Sequence, residues 1–302
     1  LNTLKLPPFD YHEPSSVGAV TQLLALHGSA AQVVAGGIDL VPSIRAGSVR
    51  PSSLISLQGL KELDFVRAAP DGSLEIGALA SLHALERSEL LKSRYPALQE
   101  AIRQITSVQT KCMGTAVGNL CVGTPASDLG PVFAVLDGEM VVAGPHGERR
   151  IPICDFYVGY RRIALQAGEF ATSVRIPPGP PGRAAAFINL TRTHADIAKI
   201  TVAAAVSIQD GVCRGVRIAL GSVAPTMIRA RAAEAILEGK PLGKQLLASV
   251  ESASMQDATP IDDIRSTAEY RRQVTRVLVR RALLKAAGQS ARSAGETLPT
   301  LQ

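Results

Sequence analysis

Along the first third of the chain the apolar positions switch between two periods. Val17, Val20, Leu23 and Leu24 recur at helical spacing, with Pro14-Ser15-Ser16 suited to start that helix and Gly28 to end it. AQVVAGG then reads as a short buried strand running into Gly36-Gly37. DLVPSIRAG reads as a short helix that tolerates Pro42 in its first turn, and SSLISL as a second strand. Strand, glycine turn, helix, strand predicts a compact parallel unit. The pattern changes at LDFVRAAPDGSLEIGALA, two β-rich runs around Pro-Asp-Gly, which is a hairpin signal. Helices are predicted at SLHALERSELL, at PALQEAIRQI, whose proline suits the first helical position, and from Asp128 to Leu136. A hairpin, MVVAGPHGERRIPI, and a strand, ATSVRIP, complete this part.

The run PPGPPG from Pro177 to Gly182 is the clearest linker in the sequence. Beyond it AAAFINLTRT, ITVAAAVSIQDG and VCRGVRIALGSV read as strands, two of them joined at Asp210-Gly211. Helices follow at MIRARAAEAILEG, LGKQLLASVESA and TAEYRRQVTRVLVRRALLKAAG. The last places Tyr270, Val274, Val277, Leu278 and Leu284 on one face and most of its arginines on the other. An antiparallel sheet with a helix bundle is therefore expected, followed from Gln289 by a poorly ordered tail.

Composition adds bounds. A chain of 302 residues with 46% hydrophobic content predicts a globular protein of two or three modules. Its apolar runs are far shorter than the roughly 20 residues needed to span a bilayer, and the first residues carry no signal-like pattern, so cytoplasm is the expected compartment. Four scattered cysteines, with no CxxC pair, speak against a cysteine-ligated metal site in this chain and read as buried thiols, their disulfide status open. The net charge of +6 resides entirely between Arg265 and Lys285, which hold seven basic residues against Glu269. One cationic helix, rather than general basicity, is the result.

GxGxxG, P-loop, HExxH and GxSxG motifs are all absent. Two backbone-rich segments remain, Val33 to Leu40 (VVAGGIDL) and Thr115 to Leu120 (TAVGNL), each read as lying where a strand meets a turn. Glycine lacks a Cβ and reaches positive φ, so neighbouring N–H groups can converge on an anion, and a diphosphate fits such a nest. Neither segment holds a Lys or Arg; main-chain dipoles would do the neutralising. Thr115, Asn119 and Thr124 can add polar bonds. Asp128 is placed either to accept from a ribose or adenine donor or to cap the following helix.

At this point five ordered elements carry a resemblance. VVAGGIDLVPSIRAG, GTAVGNLCVGTPASDLGP, YRRIALQAGEFATSVRIP, LTRTHADIAKITVAAAV and PIDDIRSTAEYRRQVTRVLVRRAL resemble successive motifs of the FAD-binding medium subunit of molybdenum hydroxylases, the carbon monoxide dehydrogenase and xanthine dehydrogenase group. The resemblance implies an α+β fold: a two-part FAD-binding domain of the PCMH, vanillyl-alcohol-oxidase-like type over residues 1–177, divided near residue 60. A C-terminal antiparallel sheet plus helix bundle over 183–288 and a flexible tail, 289–302, would follow. By position, the FAD-contacting residues would be Val33, Val34, Ala35, Gly36, Gly37, Ile38, Asp39 and Leu40, then Thr115, Ala116, Val117, Gly118 and Asn119, with Thr124 and Asp128 nearby. Ile105, Ala171 and Phe187 transfer more weakly, and for Ala171 and Phe187 core packing is the competing explanation. Many relatives have Gly-Gly-Asn where this chain has Val117-Gly118-Asn119, so binding is expected through the following N–H groups. Ile188 and Asn189 stand where some relatives place a lysine.

The resemblance further implies that no catalytic acid or base belongs to this chain. FAD would pass electrons from two [2Fe-2S] clusters of a small subunit to an external acceptor. A large subunit would hold the molybdenum-pterin centre, the three chains forming a heterotrimer that pairs into a dimer of trimers. A free-standing FAD-dependent oxidoreductase of the same fold is the first alternative. A nucleic-acid-binding or scaffold protein, resting on the basic helix alone, is the second.

Overall fold

The computed structural model describes residues 6–105, 107–193 and 196–295. In the first module β1 (Asp10–His12), β2 (Ala31–Val34) and β3 (Ser53–Ser56) form a parallel sheet in the order β1-β3-β2. Helix α1 (Val17–His27) and α2 (Leu40–Arg45) make the crossovers. Ser16 caps α1 by accepting from Ala19 N at 3.1 Å, and Gly28, at φ +55°, ends it. The parallel unit is thus as expected, with β1, a three-residue strand too short to show a period, as the addition.

The second module is built on a five-stranded antiparallel sheet. The predicted hairpin is β4 (Val66–Ala68) and β5 (Leu74–Gly77). Five helices follow: α3 (Leu82–Glu86), α4 (Glu89–Arg94), α5 (Pro96–Gln104), α6 (Val108–Met113) and α7 (Ala116–Cys121). Then come α8 (Leu129–Val135), the hairpin β6 (Glu139–Gly144) and β7 (Gly147–Pro152), α9 (Ile153–Phe156), the small pair β8 (Tyr157–Gly159) and β9 (Arg162–Ile163), and β10 (Phe170–Ile176). Strand β10 completes the order β4-β5-β10-β6-β7. Arg175 near its end pairs with Glu139 at 3.0 Å and with Asp71, tying the start of β6 and the β4–β5 turn to β10.

The third module is the antiparallel sheet β11 (Ala184–Leu190), β12 (Ile200–Gln209), β13 (Val212–Gly221) and β14 (Ile228–Arg229). Helices α10 (Arg231–Leu237), α11 (Lys244–Ala253) and α12 (Ala268–Ala294) cover it. Side chains alternate across a strand, and here the two faces differ in size. Ala185, Phe187, Ala203, Ala205 and Ala219 join the core of the first two modules, against α5 and α8. Ile200, Val202, Ala204, Val206, Ile218 and Leu220 join a second core under α12. Small residues on the first face let α5 and α8 lie close to the sheet, so β12 is buried on both sides.

Two expectations for α12 are corrected. Tyr270 and Val277 are 44% exposed, Val274 and Leu284 are only half-buried, and the buried face instead runs through Arg271, Thr275, Leu278, Val279, Ala282, Leu283, Ala286 and Ala287. Close approach to β12 selects small side chains there, which large-residue periodicity overlooks. The helix also continues through Gln289 to Ala294 and ends at Gly295 in the left-handed region. Ser290 holds that last part: its Oγ donates to Gly182 O at 2.7 Å and accepts from Ile208 N at 2.8 Å. The remainder of the expected tail, 296–302, lies outside the described residues.

Candidate functional site: a cradle of two backbone segments

The turn Ala35–Asp39 leaves β2 and enters α2; Gly114 joins α6 to α7. These two places meet. A Cβ built on Gly36 would stand 1.7 Å from Met113 O and 3.2 Å from Gly114 N, so only a residue without a side chain allows the approach. Gly37 takes φ +70° and turns the chain into α2. Gln58 Nε2 donates to Ala35 O at 2.8 Å, and Leu82 N donates to Gly114 O at 2.8 Å, pinning both segments from behind. Ser81 and Thr115 form a further bridge.

The donor side of this clasp is unspent. Among the described residues, no acceptor pairs with the main-chain N–H of Gly36, Gly37, Ile38 or Asp39, nor with that of Ala116 or Val117 at the start of α7. Gly36 and Gly37 are half-buried and Ala116 and Val117 buried, and amides so placed without partners are uncommon and call for a ligand or water; Ile38 and Asp39 are exposed.

The segment Thr115–Leu120 is not a strand-to-turn nest, as its glycine content suggested. It is an N-cap and a short helix: Thr115, at φ −118° and ψ 156°, accepts Gly118 N on Oγ1 at 3.0 Å and Asn119 N on its carbonyl at 3.0 Å. The N–H groups of Gly118 and Asn119, expected to bind in place of the missing glycine at Val117, are therefore consumed inside the helix. Asn119 Oδ1 accepts from Ser127 Oγ at 2.7 Å, and Ser127 Oγ in turn accepts from Gly130 N at 3.2 Å. Ser127 thus serves the N-terminus of α8. Asp128, at the N-cap position, makes no capping bond.

Asp128 is the chief titratable group here. Burial pushes its carboxyl up to about 7, with the neighbouring Asn189 amide pulling the other way. Its Oδ1 is buried and without a partner, an acceptor awaiting a donor. Thr124 Oγ1 accepts from Ala126 N at 3.3 Å, and Pro125 O accepts from Ser222 N at 2.8 Å. The third module therefore grips the Thr124–Asp128 loop through Ser222 and contributes Asn189 beside it.

Val33 and Val34 lie on β2 and Leu40 opens α2, all half-buried, while Ile38 and Asp39 are exposed beside the clasp. Ile105 ends α5, half-buried against the main core. Ala171 and Phe187, 6% and 1% exposed, are packed in that core, opposite Val142 and Ala203 in their sheets, and β10, which carries Ala171, packs against α7. Of the cysteines, Cys112 is exposed, contrary to the buried reading; Cys121 and Cys154 are half-buried, Cys213 is buried, and all four are free. Among the described residues no group of three or more His, Cys, Asp and Glu is placed to hold a metal ion.

Unpaired amides for a diphosphate, a turn that excludes any Cβ, and an orphaned carboxylate oxygen for a hydroxyl or ring N–H fit the polar groups of a flavin dinucleotide. Residues 7–179 match the family model described as the FAD binding domain in molybdopterin dehydrogenase. The chain belongs to that family. Residues 185–286 of this flavin-binding subunit match the CO dehydrogenase flavoprotein C-terminal domain. It is 32% identical, over 92% of its length and 96% of the relative's, to the carbon monoxide dehydrogenase medium chain of Afipia carboxidovorans. It is 28% identical to the putative xanthine dehydrogenase FAD-binding subunit of Escherichia coli, over 91% and 95% of the two chains. The solved carbon monoxide dehydrogenase of Hydrogenophaga pseudoflava superposes with TM-score 0.91 at 32% identity, covering 95% of this chain and 99% of that one.

Sequence reasoning missed the partners of the flavin-binding subunit's cradle. Gly114 lay inside the glycine-rich stretch, where Thr115 offered a local signal for a helix N-cap but none for the contact with Gly36. Gln58, Ser81, Asn189 and Ser222 carry no local signal, because each reaches the cradle only through tertiary packing.

Proposed function

We propose that this chain holds FAD between its two backbone segments and relays electrons as the medium subunit of a molybdenum hydroxylase complex in the cytoplasm. Bound here, FAD supplies the redox chemistry that links one-electron carriers to an external acceptor. The Gly36–Asp39 amides, with those of Ala116 and Val117, bind the diphosphate, and Asp128 accepts from a ribose, ribityl or ring donor. Thr124, Val33, Val34, Ala35, Leu40, Gly118, Asn119 and Ile105 shape the surrounding walls. Ala171 and Phe187 support them from the core. Partner subunits carry the molybdenum-pterin centre and two [2Fe-2S] clusters, as a heterotrimer that pairs.

The observation that carries this reading is the contact of Gly36 with Met113 and Gly114, which brings two sets of unpaired amides together. No helix among the described residues is long and apolar enough to cross a membrane, and four free thiols suit a reducing compartment. Much of the basic cluster is spent within the chain: Arg265 and Arg271 on Asp263, Lys285 on Glu100. That weakens a nucleic-acid reading. Co-expression with adjacent large- and small-subunit genes, followed by gel filtration and a visible spectrum, is the test. A stoichiometric yellow complex is expected; a complex that assembles without this chain, or a chain that stays colourless in excess FAD, refutes it.

A further inference from the structure

At the end of α5 opposite Ile105, a cleft of about 580 Å³ opens between the two halves of the molecule. Its walls come from the α4–α5 junction, the Pro177–Gly182 connection and the last turns of α12. Three guanidiniums line it, from Arg94, Arg183 and Arg292, and no carboxylate does. A cluster of like charges is costly unless something uses it.

The three arginines are held differently. Arg183 is fixed: Nη1 donates to Asp137 Oδ2 at 2.7 Å, Nη2 donates to Leu136 O at 3.3 Å, and the guanidinium lies over Gly179, where a Cβ would come within 2.3 Å of Nε. Asp137 does not neutralise the back wall alone, because Arg217 Nε also bonds its Oδ1 at 3.1 Å. Arg94 spends one Nη2–H on Gly72 O at 3.0 Å, and neither Arg94 nor Arg292 has a carboxylate partner among the described residues. Tyr95 lines the same cleft, its ring centre 5.7 Å from the Arg94 guanidinium. Burial raises its phenol, while Arg94 and Arg183 lower it, so both cations lie close to a protonated O–H donor. A second, independent feature sits in the lining: Gln289 Oε1 is buried with no partner.

From these groups we infer that the cleft binds a phosphorylated small molecule of up to nucleotide size. Arg94, Arg292 and the Tyr95 hydroxyl take the phosphate oxygens, Arg183 supplies a fixed field behind them, and Gln289 accepts from a hydroxyl or amine of the same ligand. The volume lies within the ordinary range of small-molecule sites, which favour such junctions. The inference goes beyond the flavin reading and does not depend on it.

The test uses the full chain with saturating FAD, so that the dinucleotide cradle is filled, and inorganic triphosphate as the probe in titration calorimetry at constant ionic strength. ADP and sulfate form parallel arms that separate an organic phosphate from any dianion. One saturable site that prefers ADP or triphosphate over sulfate is expected, with an unchanged flavin spectrum. R94Q/R292Q, altered only at exposed side chains, should weaken binding at least tenfold, and Ser293→Glu, placing a carboxylate in the lining, should do the same. Absence of saturable binding, equal affinity for sulfate, or wild-type affinity in both variants overturns the inference.

Discussion

Replacing Gly36 by alanine tests the cradle most directly. Gly36 does not occupy a positive-φ conformation, so the added methyl strains no dihedral; it meets main chain instead, 1.7 Å from Met113 O and 2.6 Å from its carbonyl carbon. Non-bonded carbon and oxygen need about 3 Å or more, so the β2–α2 turn and the α6–α7 junction must part by over an ångström. Neither side can give cheaply: Gln58 holds Ala35 O, and Leu82 holds Gly114 O. Overpacking of this kind costs about 1–3 kcal/mol, and backbone on both sides places the cost near the upper end. Separating the amides further costs about one charge-assisted hydrogen bond, roughly 1.5–3 kcal/mol, or a tenfold to hundredfold loss in FAD affinity. Fluorescence titration of the apoprotein with FAD, with melting temperature read in parallel, measures both effects. The control is Gly18→Ala in α1, where nothing lies within 4 Å and helix propensity predicts a gain of about 0.5–1 kcal/mol. If Gly36→Ala binds FAD and melts like the wild type, the two segments do not form the site.

Asp128 makes stability without FAD depend on pH. Its folded value, about 7, lies above the ordinary 3.8, so the native state holds a proton that the unfolded chain releases between those values. Stability from this group is full below 3.8 and is lost as pH rises towards 7; the melting temperature of the apoprotein should fall over that interval, and Asp128→Asn should flatten the profile while weakening FAD binding. An unaltered profile in the variant removes Asp128 from the account. Arg271→Met should cost about 3–5 kcal/mol in denaturant unfolding, because a guanidinium only 2% exposed bonds Ser222 O at 2.8 Å and Asp263 at 2.7 Å. It should also loosen FAD through the Ser222–Pro125 bond; a variant unchanged in both respects contradicts that link.

Most elements were legible because they announce themselves locally. The α1 cap at Ser16, the Pro-Asp-Gly hairpin, Pro96 opening α5 and the Pro177–Gly182 connection between strands each state their geometry within a few residues. Failures arose where distant packing decided the outcome. The buried face of α12 is set by how near the helix lies to β12, so Ala282 and Ala286 outrank Tyr270 and Val277. Helix α7 was hidden by its glycine, which looked like a turn and is instead an ordinary helical residue under a threonine cap. In the site, Gly36 was legible and its partner at Met113–Gly114 was not: a residue missing its side chain shows that something comes close, but not what.

Strand β12 has one further consequence. Because its alanine side meets α8 while its valine side meets α12, a single added methylene at Ala203 or Ala205 is felt in the first half of the protein, and one at Val202 or Val206 in the second. Divergence along this strand therefore has to be concerted: bulk gained at one alanine must be matched by bulk shed on α8, about 70 positions away, so the two halves can drift in sequence only as a pair.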